Sequence, residues 1–98
     1  MAVKVLIKRK IKDGKLKAAS KLLIKARYAA MNQQGYISSE TLTHCIDPNR
    51  VAVISMWQTL DDWTHWKNSA ARAKNEDEFK ALLDEATEYE PYNLGLAL

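Results

Sequence analysis

Hydrophobic and charged positions alternate along the first eleven residues of the chain. A period of two is typical of a β-strand with one buried face, because successive side chains point to opposite faces of a strand. We therefore predict a first strand over residues 3–11, with lysines on its solvent side that could protect a sheet edge. The apolar positions are Val3, Val5, Ile7 and Ile11, and the lysines are Lys4, Lys8, Lys10 and Lys12.

A helical spacing of apolar residues follows the break at Asp13-Gly14. Asp13 is placed to cap a helix that runs from about Lys15 to Met31. Arg27 falls within its apolar stripe, near the C-terminal end, where a cation interacts favourably with the helix dipole. Its long side chain can either reach solvent or contribute a cation to a pocket. The stripe predicted to be buried is Leu16, Ala19, Leu23, Ala26 and Ala30.

Two further strands are predicted on either side of a turn at residues 47–50. Gly35 ends the first helix, and residues 36–46 form the second strand. The turn sequence Asp-Pro-Asn-Arg favours a β-turn, so the second and third strands form a hairpin. The third strand covers residues 51–58 and is rich in β-branched and aromatic residues. Both of its faces are largely apolar, which predicts a cover on both sides.

A second helix is predicted to begin at Leu60. The Thr59 hydroxyl can accept a hydrogen bond from a backbone amide of the first turn. The carboxylates of Asp61 and Asp62 suit the positive end of the helix dipole. These residues make the start of this helix the most clearly marked boundary in the sequence.

The two tryptophans of this helix occupy different positions on its surface. Trp63 lies at the centre of the apolar stripe, where a core residue is expected. Trp66 lies about 60° to one side, where the stripe meets the polar residues Asp62 and Ser69. The pattern leaves two interpretations of Trp66 open, namely a core residue or the wall of a pocket. His65 points away from the stripe and is predicted to be solvated.

The last part of the sequence predicts one more helix and one more strand. Residues 69–74 are ambiguous, whereas Asn75 to Glu78 have the form of a capping box. A helix is therefore expected over residues 76–86, with Phe79, Leu82, Leu83 and Ala86 facing inward. Residues 89–96 form the final strand, and Pro91 confines that strand to a sheet edge or a bulge.

The predicted order of elements indicates an α+β fold of the ferredoxin-like βαββαβ type. In this arrangement the helices cover one face of an antiparallel sheet and leave the other face bare. The economical cover for that face is a second copy of the chain, so we predict a homodimer in which two sheets enclose a barrel-like core. The chain of 98 residues, 47% of them hydrophobic, is predicted to form one domain over residues 1–98.

Composition and charge restrict the possible classes of function. No apolar run approaches the length of a membrane span, so we expect a soluble, cytoplasmic protein. The only cysteine is Cys45, and no Cys/His pair has zinc-ligand spacing. The first 49 residues carry a formal charge of +7 and the rest −4. Nucleic-acid binding is not predicted, because base-stacking sheets of this fold carry aromatic residues that the first strand lacks.

Several of these residues resemble the pattern of the antibiotic biosynthesis monooxygenase domain family, also called the dimeric α/β-barrel superfamily. The resemblance covers nearly the whole chain. The residues that carry it are the Arg27 helix leading into Gln34-Gly35-Tyr36, the strand end Ser55-Met56-Trp57-Gln58-Thr59, and Trp63, Trp66 and Ser69 on the next helix. Members of the family oxidise polycyclic phenols without metal or flavin, and others are isomerases or have no known reaction.

The haem-degrading branch of the family is the most similar, since it also has a Trp closing the strand and another nine residues later. The second of these, matching Trp66, lies in that branch's active site beside an axial histidine and an asparagine. Here the histidine position is matched by Glu76 and the asparagine position falls near Ile7. Neither His44 nor His65 matches the ligand. The resemblance therefore implies an oxygenase, with haem degradation as a disfavoured alternative because the axial histidine is absent.

The sequence thus predicts a pocket between the sheet and the helices in which an aromatic, phenolic molecule is oxidised without a cofactor. Trp66 and Asp62 are the candidate catalytic residues, with Asp62 as the nearest general base. The candidate substrate contacts are Trp57, Trp66, Arg27, Ser69 and Arg72. An aromatic wall can hold the ring, and a cation can lower the pKa of a phenol. The alternative is a non-catalytic module for ligand binding or dimerisation.

Overall fold

The computed structural model describes residues 1–98 and has the predicted βαββαβ order, with one additional helix. The strands are β1 (Val3–Lys10), β2 (Tyr36–Thr43), β3 (Arg50–Trp57) and β4 (Glu88–Asn93), and the helices are α1 (Leu16–Met31), α2 (Leu60–Lys67) and α3 (Ala70–Lys80). All strand pairs are antiparallel, in the order β2-β3-β1-β4. The fold is therefore ferredoxin-like α+β. None of the helices combines the length and apolarity that crossing a membrane requires.

Strand β1 lies in the middle of the sheet, between β3 and β4. Val3 is opposite Trp57, and Val5 is opposite Ser55, so these side chains share the face that the helices cover. Lys4 and Lys8 point to the other face and are exposed. The lysines therefore do not protect a sheet edge, because both edges of β1 are paired. The edge strands are β2 and β4, and β4 contains Pro91 as predicted.

The helix-covered face contains two clusters of buried apolar residues. The larger consists of Val3, Val5, Ile7, Trp57, Trp63 and Trp66. The smaller consists of Ile11, Ala19, Phe79 and Leu83, at the other end of α1 and α3. Ile11 follows β1 and forms an isolated bridge with Leu83. Of the α1 stripe predicted to be buried, only Ala19 is fully buried, Leu23, Ala26 and Ala30 are half-buried, and Leu16 at the start of the helix is 38% exposed.

The caps of the first two helices differ in how well the sequence predicted them. Helix α2 begins at Leu60, and the Thr59 hydroxyl accepts a hydrogen bond from the Asp62 amide at 3.1 Å. Helix α1 begins at Leu16 with no side-chain cap, so the prediction for Asp13 was wrong. Gly14, with φ +78°, lies between Asp13 and the helix. The Asp13 carboxylate instead accepts a hydrogen bond from the side chain of Asn49, in the β2–β3 connection.

Helix α3 corrects the prediction for residues 69–86. It begins at Ala70, and the Ser69 hydroxyl caps it by accepting a hydrogen bond from the Arg72 amide at 3.2 Å. Asn75, predicted to be the cap, is a buried residue inside the helix. Glu78 pairs with Lys25 of α1 at 3.0 Å rather than with the chain before it. The helix ends at Lys80, which leaves Ala86 exposed outside it.

Two strands are shorter than predicted. Strand β2 ends at Thr43 because the His44 imidazole accepts hydrogen bonds from the amides of Ile46 and Asp47 and turns the chain there. The turn at residues 47–50 forms as predicted, with the Arg50 amide donating to the Asp47 carbonyl at 3.0 Å. Strand β4 ends at Asn93, and Gly95 follows it with φ +77°.

The second face of the sheet, which we call the open face, is not covered by any element of the chain. Its centre is apolar, with half-buried Leu6, Ile54 and Met56 and with Leu42 exposed by 43%. Lysine and glutamate side chains surround this centre, including the Lys8–Glu90 ion pair. An apolar centre with a charged rim is typical of a protein–protein contact surface.

Candidate active site

A small cavity of about 50 Å³ lies between the helices and the sheet. Nine of its 15 lining residues are hydrophobic, so a few polar groups converge on an otherwise apolar space, as in many ligand sites. The aromatic lining residues are Tyr36, Trp57, Trp63 and Trp66, and the polar ones are Arg9, Arg27, Ser39, Thr41, Ser55 and Arg72.

The aromatic wall is a set of contacting rings. Trp57, at the end of β3, lies with its ring centroid 5.5 Å from that of Tyr36 in an edge-to-face arrangement and 6.0 Å from that of Trp63. Its indole N–H donates to the Ser55 hydroxyl at 3.1 Å, so the buried donor is satisfied. Trp66 is only 3% exposed. It therefore belongs to the core and lines the cavity at the same time.

Arg27 and Ser39 lie at the side of the cavity where the lining is most exposed. The Arg27 guanidinium donates to the Ser39 hydroxyl at 3.2 Å and to its carbonyl at 3.3 Å. The Tyr36 hydroxyl is 2.8 Å from the same Ser39 hydroxyl. These three side chains join α1 to the edge strand β2 and form the mouth of the cavity.

A buried charge cluster adjoins the cavity, which its two arginines, Arg9 and Arg72, help to line. Its centre is the Glu76 carboxylate, which accepts hydrogen bonds from Arg9 at 3.0 Å and from Arg72 at 2.7 Å. The Thr87 hydroxyl donates to the second carboxylate oxygen. Arg72 also donates to the Tyr89 hydroxyl at 3.0 Å. The two arginine side chains are 3% and 5% exposed, and both line the cavity.

The charges of this cluster determine the protonation of its members. Burial raises the pKa of the Glu76 carboxyl, but Arg9 and the hydrogen bonds from Arg9, Thr87 and Arg72 outweigh it and hold the pKa at about 2. Burial lowers the pKa of Arg9, whereas the nearby Glu76 carboxylate raises it. Arg9 is charged, because a guanidinium stays protonated in proteins. Burial also raises the pKa of Tyr89. Near neutral pH the cluster contains two cations, one anion and a neutral phenol.

The sequence profile of the family described as antibiotic biosynthesis monooxygenase matches residues 2–80. The chain belongs to this family. The match ends where α3 ends, so it includes every element except β4. No functionally curated protein matches the chain.

Solved structures with the same fold are similar to the chain over nearly its full length. SnoaB, a cofactor-independent oxygenase from Streptomyces nogalater, has a TM-score of 0.86 at 13% identity, over 99% of this chain and 96% of SnoaB. A conserved protein from Methanosarcina mazei Go1 has a TM-score of 0.87 at 17% identity, over 94% and 91% of the two chains. Rv0793 from Mycobacterium tuberculosis has a TM-score of 0.86 at 11% identity, over 99% and 98%. At these identities the similarity establishes the fold alone.

Four of the six candidate residues predicted from the sequence line the cavity of this family member, namely Arg27, Trp57, Trp66 and Arg72. Ser69 does not line it, because its hydroxyl caps α3. Asp62 lies in a shallow outer groove with Gln33, Gln34, Asp61, His65 and Trp66. Trp66 separates this groove from the cavity, since it lines both.

Gly35 accommodates the position of Asp62. Its φ is +82°, a conformation that residues with a side chain rarely adopt, and a Cβ atom at this position would overlap the Asp62 carboxylate. The Asp62 carboxylate is therefore held against the backbone of the α1–β2 connection and faces away from the cavity.

The haem-degrading branch does not fit these residues. Glu76 stands at the position that the resemblance assigns to the axial histidine, and its carboxylate is ionised and engaged by three donors. His65 lies in the outer groove, and His44 lies in the connection after β2. A haem iron near Glu76 would have to break the ion pairs of two buried arginines, which is strongly unfavourable.

Sequence reasoning missed Arg9, the cation that completes the cluster. Its position carried a signal, because Arg9 follows Val3, Val5 and Ile7 at a spacing of two and so falls on the buried face of β1. A charged residue on an apolar strand face is rarely buried without a partner. Its partner Glu76 is 67 positions away, and no local pattern joins the two.

Proposed function

We propose that this protein is a small monooxygenase that oxidises an aromatic, phenolic molecule in the cavity between the sheet and the helices, without metal or flavin. The observation that carries the proposal is the combination of an aromatic wall and two buried guanidinium groups around one apolar cavity. The family and the described activity of SnoaB, which has the same fold, support it.

In the proposed reaction the substrate supplies the electrons for oxygen reduction. A phenol that becomes a quinone loses two hydrogens and gains one oxygen atom from O₂, and the second oxygen atom leaves as water with those hydrogens. No external reductant is required. The electron-rich species is the phenolate, so the protein must favour ionisation of the phenol.

The guanidinium groups that line the cavity would favour this ionisation. A cation within about 4–6 Å stabilises the phenolate and lowers the pKa of the phenol. Glu76 is a poor general base, because its pKa of about 2 leaves it little affinity for a proton. We assign no proton transfer to Asp62, since its carboxylate lies in the outer groove. The phenol proton is therefore transferred to water at the mouth.

The cavity must enlarge to admit a substrate. A cavity of 150 Å³ holds one benzene molecule, whereas this one has a volume of about 50 Å³. The contacts of Arg27 and Tyr36 with Ser39 at the mouth are the weakest part of the wall, because Arg27 is exposed and joins α1 to an edge strand. We infer that the ring enters where these contacts open, and that Trp57 and Trp66 then hold it.

Oxygen uptake tests the proposal directly. Purified protein, treated with chelator and free of flavin, is supplied with a panel of monohydric phenols, naphthols and anthrones in an oxygen electrode. Turnover above the buffer rate is expected for at least one of them, and Trp66→Phe should reduce it by more than tenfold. Tyr28→Phe is the matched control, because Tyr28 is 67% exposed on α1. Equal rates of oxygen uptake in the two variants would show that Trp66 does not take part in the reaction.

The second candidate is a module that binds an aromatic ligand without catalysis. It is favoured by the lining of the cavity, which contains no carboxylate, and by the engagement of Glu76 in the adjoining charge cluster, which together leave no free general base. Quenching of tryptophan fluorescence by a ligand, without oxygen uptake for any ring of the panel, would support this candidate over the oxygenase.

We also propose that the functional unit is a homodimer joined through the open face. Leu6, Ile54 and Met56 form an apolar centre that the chain does not cover, and a stable interface over the sheet would bury more than about 1,000 Å². Ile54→Asp should therefore produce a monomer in sedimentation velocity at micromolar concentration. Leu96→Asp, at a residue 87% exposed outside the sheet, should not. A monomeric wild type would refute the proposal.

A further inference from the structure

The charge cluster has more cationic donors than the protein itself uses. Each guanidinium has five N–H donors, and of the ten on Arg9 and Arg72 three donate to Glu76 and Tyr89. The cluster holds two guanidinium groups and one carboxylate, a net charge of +1. The ammonium group of Lys67 lies 4.6 Å from the centroid of the Tyr89 ring and adds a further cation nearby.

One donor of this cluster has no partner at all. The Nε–H group of Arg9 is fully buried and makes no hydrogen bond. The Arg9 guanidinium lies 4.2 Å from the centroid of the Phe79 ring, which compensates part of its charge. An aromatic face does not replace an oxygen acceptor for a buried N–H, and such groups normally have one. Arg9 lines the cavity, and its Nε–H would become accessible to an acceptor of the ligand once the cavity enlarges, as the entry of any ring requires.

We propose that the ligand of this cavity carries a carboxylate group, which binds to Arg9 and Arg72 while its aromatic ring contacts Trp57 and Trp66. A carboxylate matches the planar fork of a guanidinium and neutralises the excess charge of the cluster. Arg27, the third guanidinium of the lining, is then the cation that stabilises the phenolate. The aromatic half of this inference rests on the proposed function. The anionic half rests on the cluster alone. Together they define the substrate class as hydroxylated aromatic carboxylic acids.

Three probes separate the two halves. Benzoate carries the ring and the carboxylate, benzyl alcohol carries the same ring without charge, and acetate carries the carboxylate without the ring. Affinities are measured at pH 7 from the concentration dependence of the thermal shift, each relative to the unliganded melting temperature of the same variant. We expect benzoate to bind at least tenfold more tightly than benzyl alcohol.

Two variants of the cluster should change this preference in opposite directions. Arg9→Met removes one cation, brings the net charge to zero, and should weaken benzoate binding by about 10- to 100-fold. Glu76→Gln removes the competing carboxylate, leaves two cations for the ligand, and should tighten benzoate binding. Lys25→Met, which removes an exposed cation of α1, is the control. It should change neither the affinity for benzoate nor that for benzyl alcohol. If Arg9→Met does not fold, Glu76→Gln and the three probes still decide.

Each result has a definite meaning. Equal binding of benzoate and benzyl alcohol, with no effect of Glu76→Gln, would overturn the inference while the proposed aromatic site would stand. Binding of acetate that tightens in Glu76→Gln, without any binding of either ring, would support the anion site and contradict the proposed aromatic substrate. Failure of all three probes to bind would contradict both.

Discussion

Acid should remove a definite part of the stability of this protein, through Glu76. The pKa of this carboxyl is about 2 in the folded protein, against 4.5 for the ordinary group. A carboxyl with a depressed pKa stabilises the fold above its unfolded pKa, and the contribution is lost as the pH falls through the folded pKa. At 1.36 kcal/mol per pKa unit, the contribution is about 3 kcal/mol at pH 7. It falls to less than half of this value at pH 3 and is nearly absent at pH 2.

The substitution Glu76→Gln isolates this contribution. Gln keeps the shape of the side chain and an acceptor oxygen but lacks the charge that Arg9 and Arg72 require. We expect the free energy of unfolding in urea to be lower by about 3 kcal/mol at pH 7, out of a total of about 5–15 kcal/mol for a domain of this kind. The difference between wild type and variant should decrease to less than half at pH 3.

Glu78→Gln provides the matched control for this experiment. Glu78 lies on the same helix, and its ion pair with Lys25 is exposed at the surface. Exposed pairs contribute about 0–1 kcal/mol, so this variant should remain close to wild type. The reasoning would be wrong if Glu76→Gln were destabilised by less than 1 kcal/mol at pH 7, or by the same amount at pH 7 and pH 3.

Three further changes test other parts of the structure. Gly35→Ala should destabilise the fold by about 1–3 kcal/mol more than Gly14→Ala in urea denaturation, because both have a left-handed backbone but only the first would overlap Asp62; equal effects would show that Asp62 moves freely. Trp66→Ala should cost about 3–5 kcal/mol, as should Trp63→Ala, since both rings are buried. A cost near about 1–2 kcal/mol for Trp66→Ala would favour a pocket wall over a core residue, the two interpretations that the sequence left open. Arg27→Ala should accelerate ligand association in stopped-flow fluorescence and change the free energy of unfolding by less than about 1 kcal/mol. An unchanged association rate would show that the ligand does not enter the cavity at the Arg27–Ser39 contact.

The sequence predicted the architecture because its local signals agree with one another. Alternation marks β1, and Thr59 marks the start of α2 within one residue. The start of α3 was predicted wrongly, because Ser69 and Asn75 are both residue types that cap helices and only the motif at Asn75 was taken as a cap. Packing decided between them, since the buried position of Asn75 inside α3 brings Arg72 and Glu76 onto the cavity side of that helix. No single-sequence pattern contains that information.

The candidate site was predicted in part. The tryptophans of the aromatic wall follow from helical spacing and from the resemblance to the family. Arg72 was named as a polar contact without a predicted helix around it, and the role of Arg9 depends on a partner in a distant element. Asp62 illustrates the opposite error. Its position next to Trp66 on the helix surface suggested a shared pocket, but the backbone at Gly35 holds the carboxylate on the outer side of the ring.

The distance along the chain between Arg9 and Glu76 also has a consequence for the order of folding. The β2–β3 hairpin is local, whereas an ion pair across 67 positions forms only after a long loop has closed. Interactions that form after the transition state change the unfolding rate and leave the folding rate unaltered. We therefore expect Glu76→Gln to raise the unfolding limb of a chevron plot and leave the folding limb superimposed on that of wild type. The cluster that binds the ligand would then also set how long the folded protein persists.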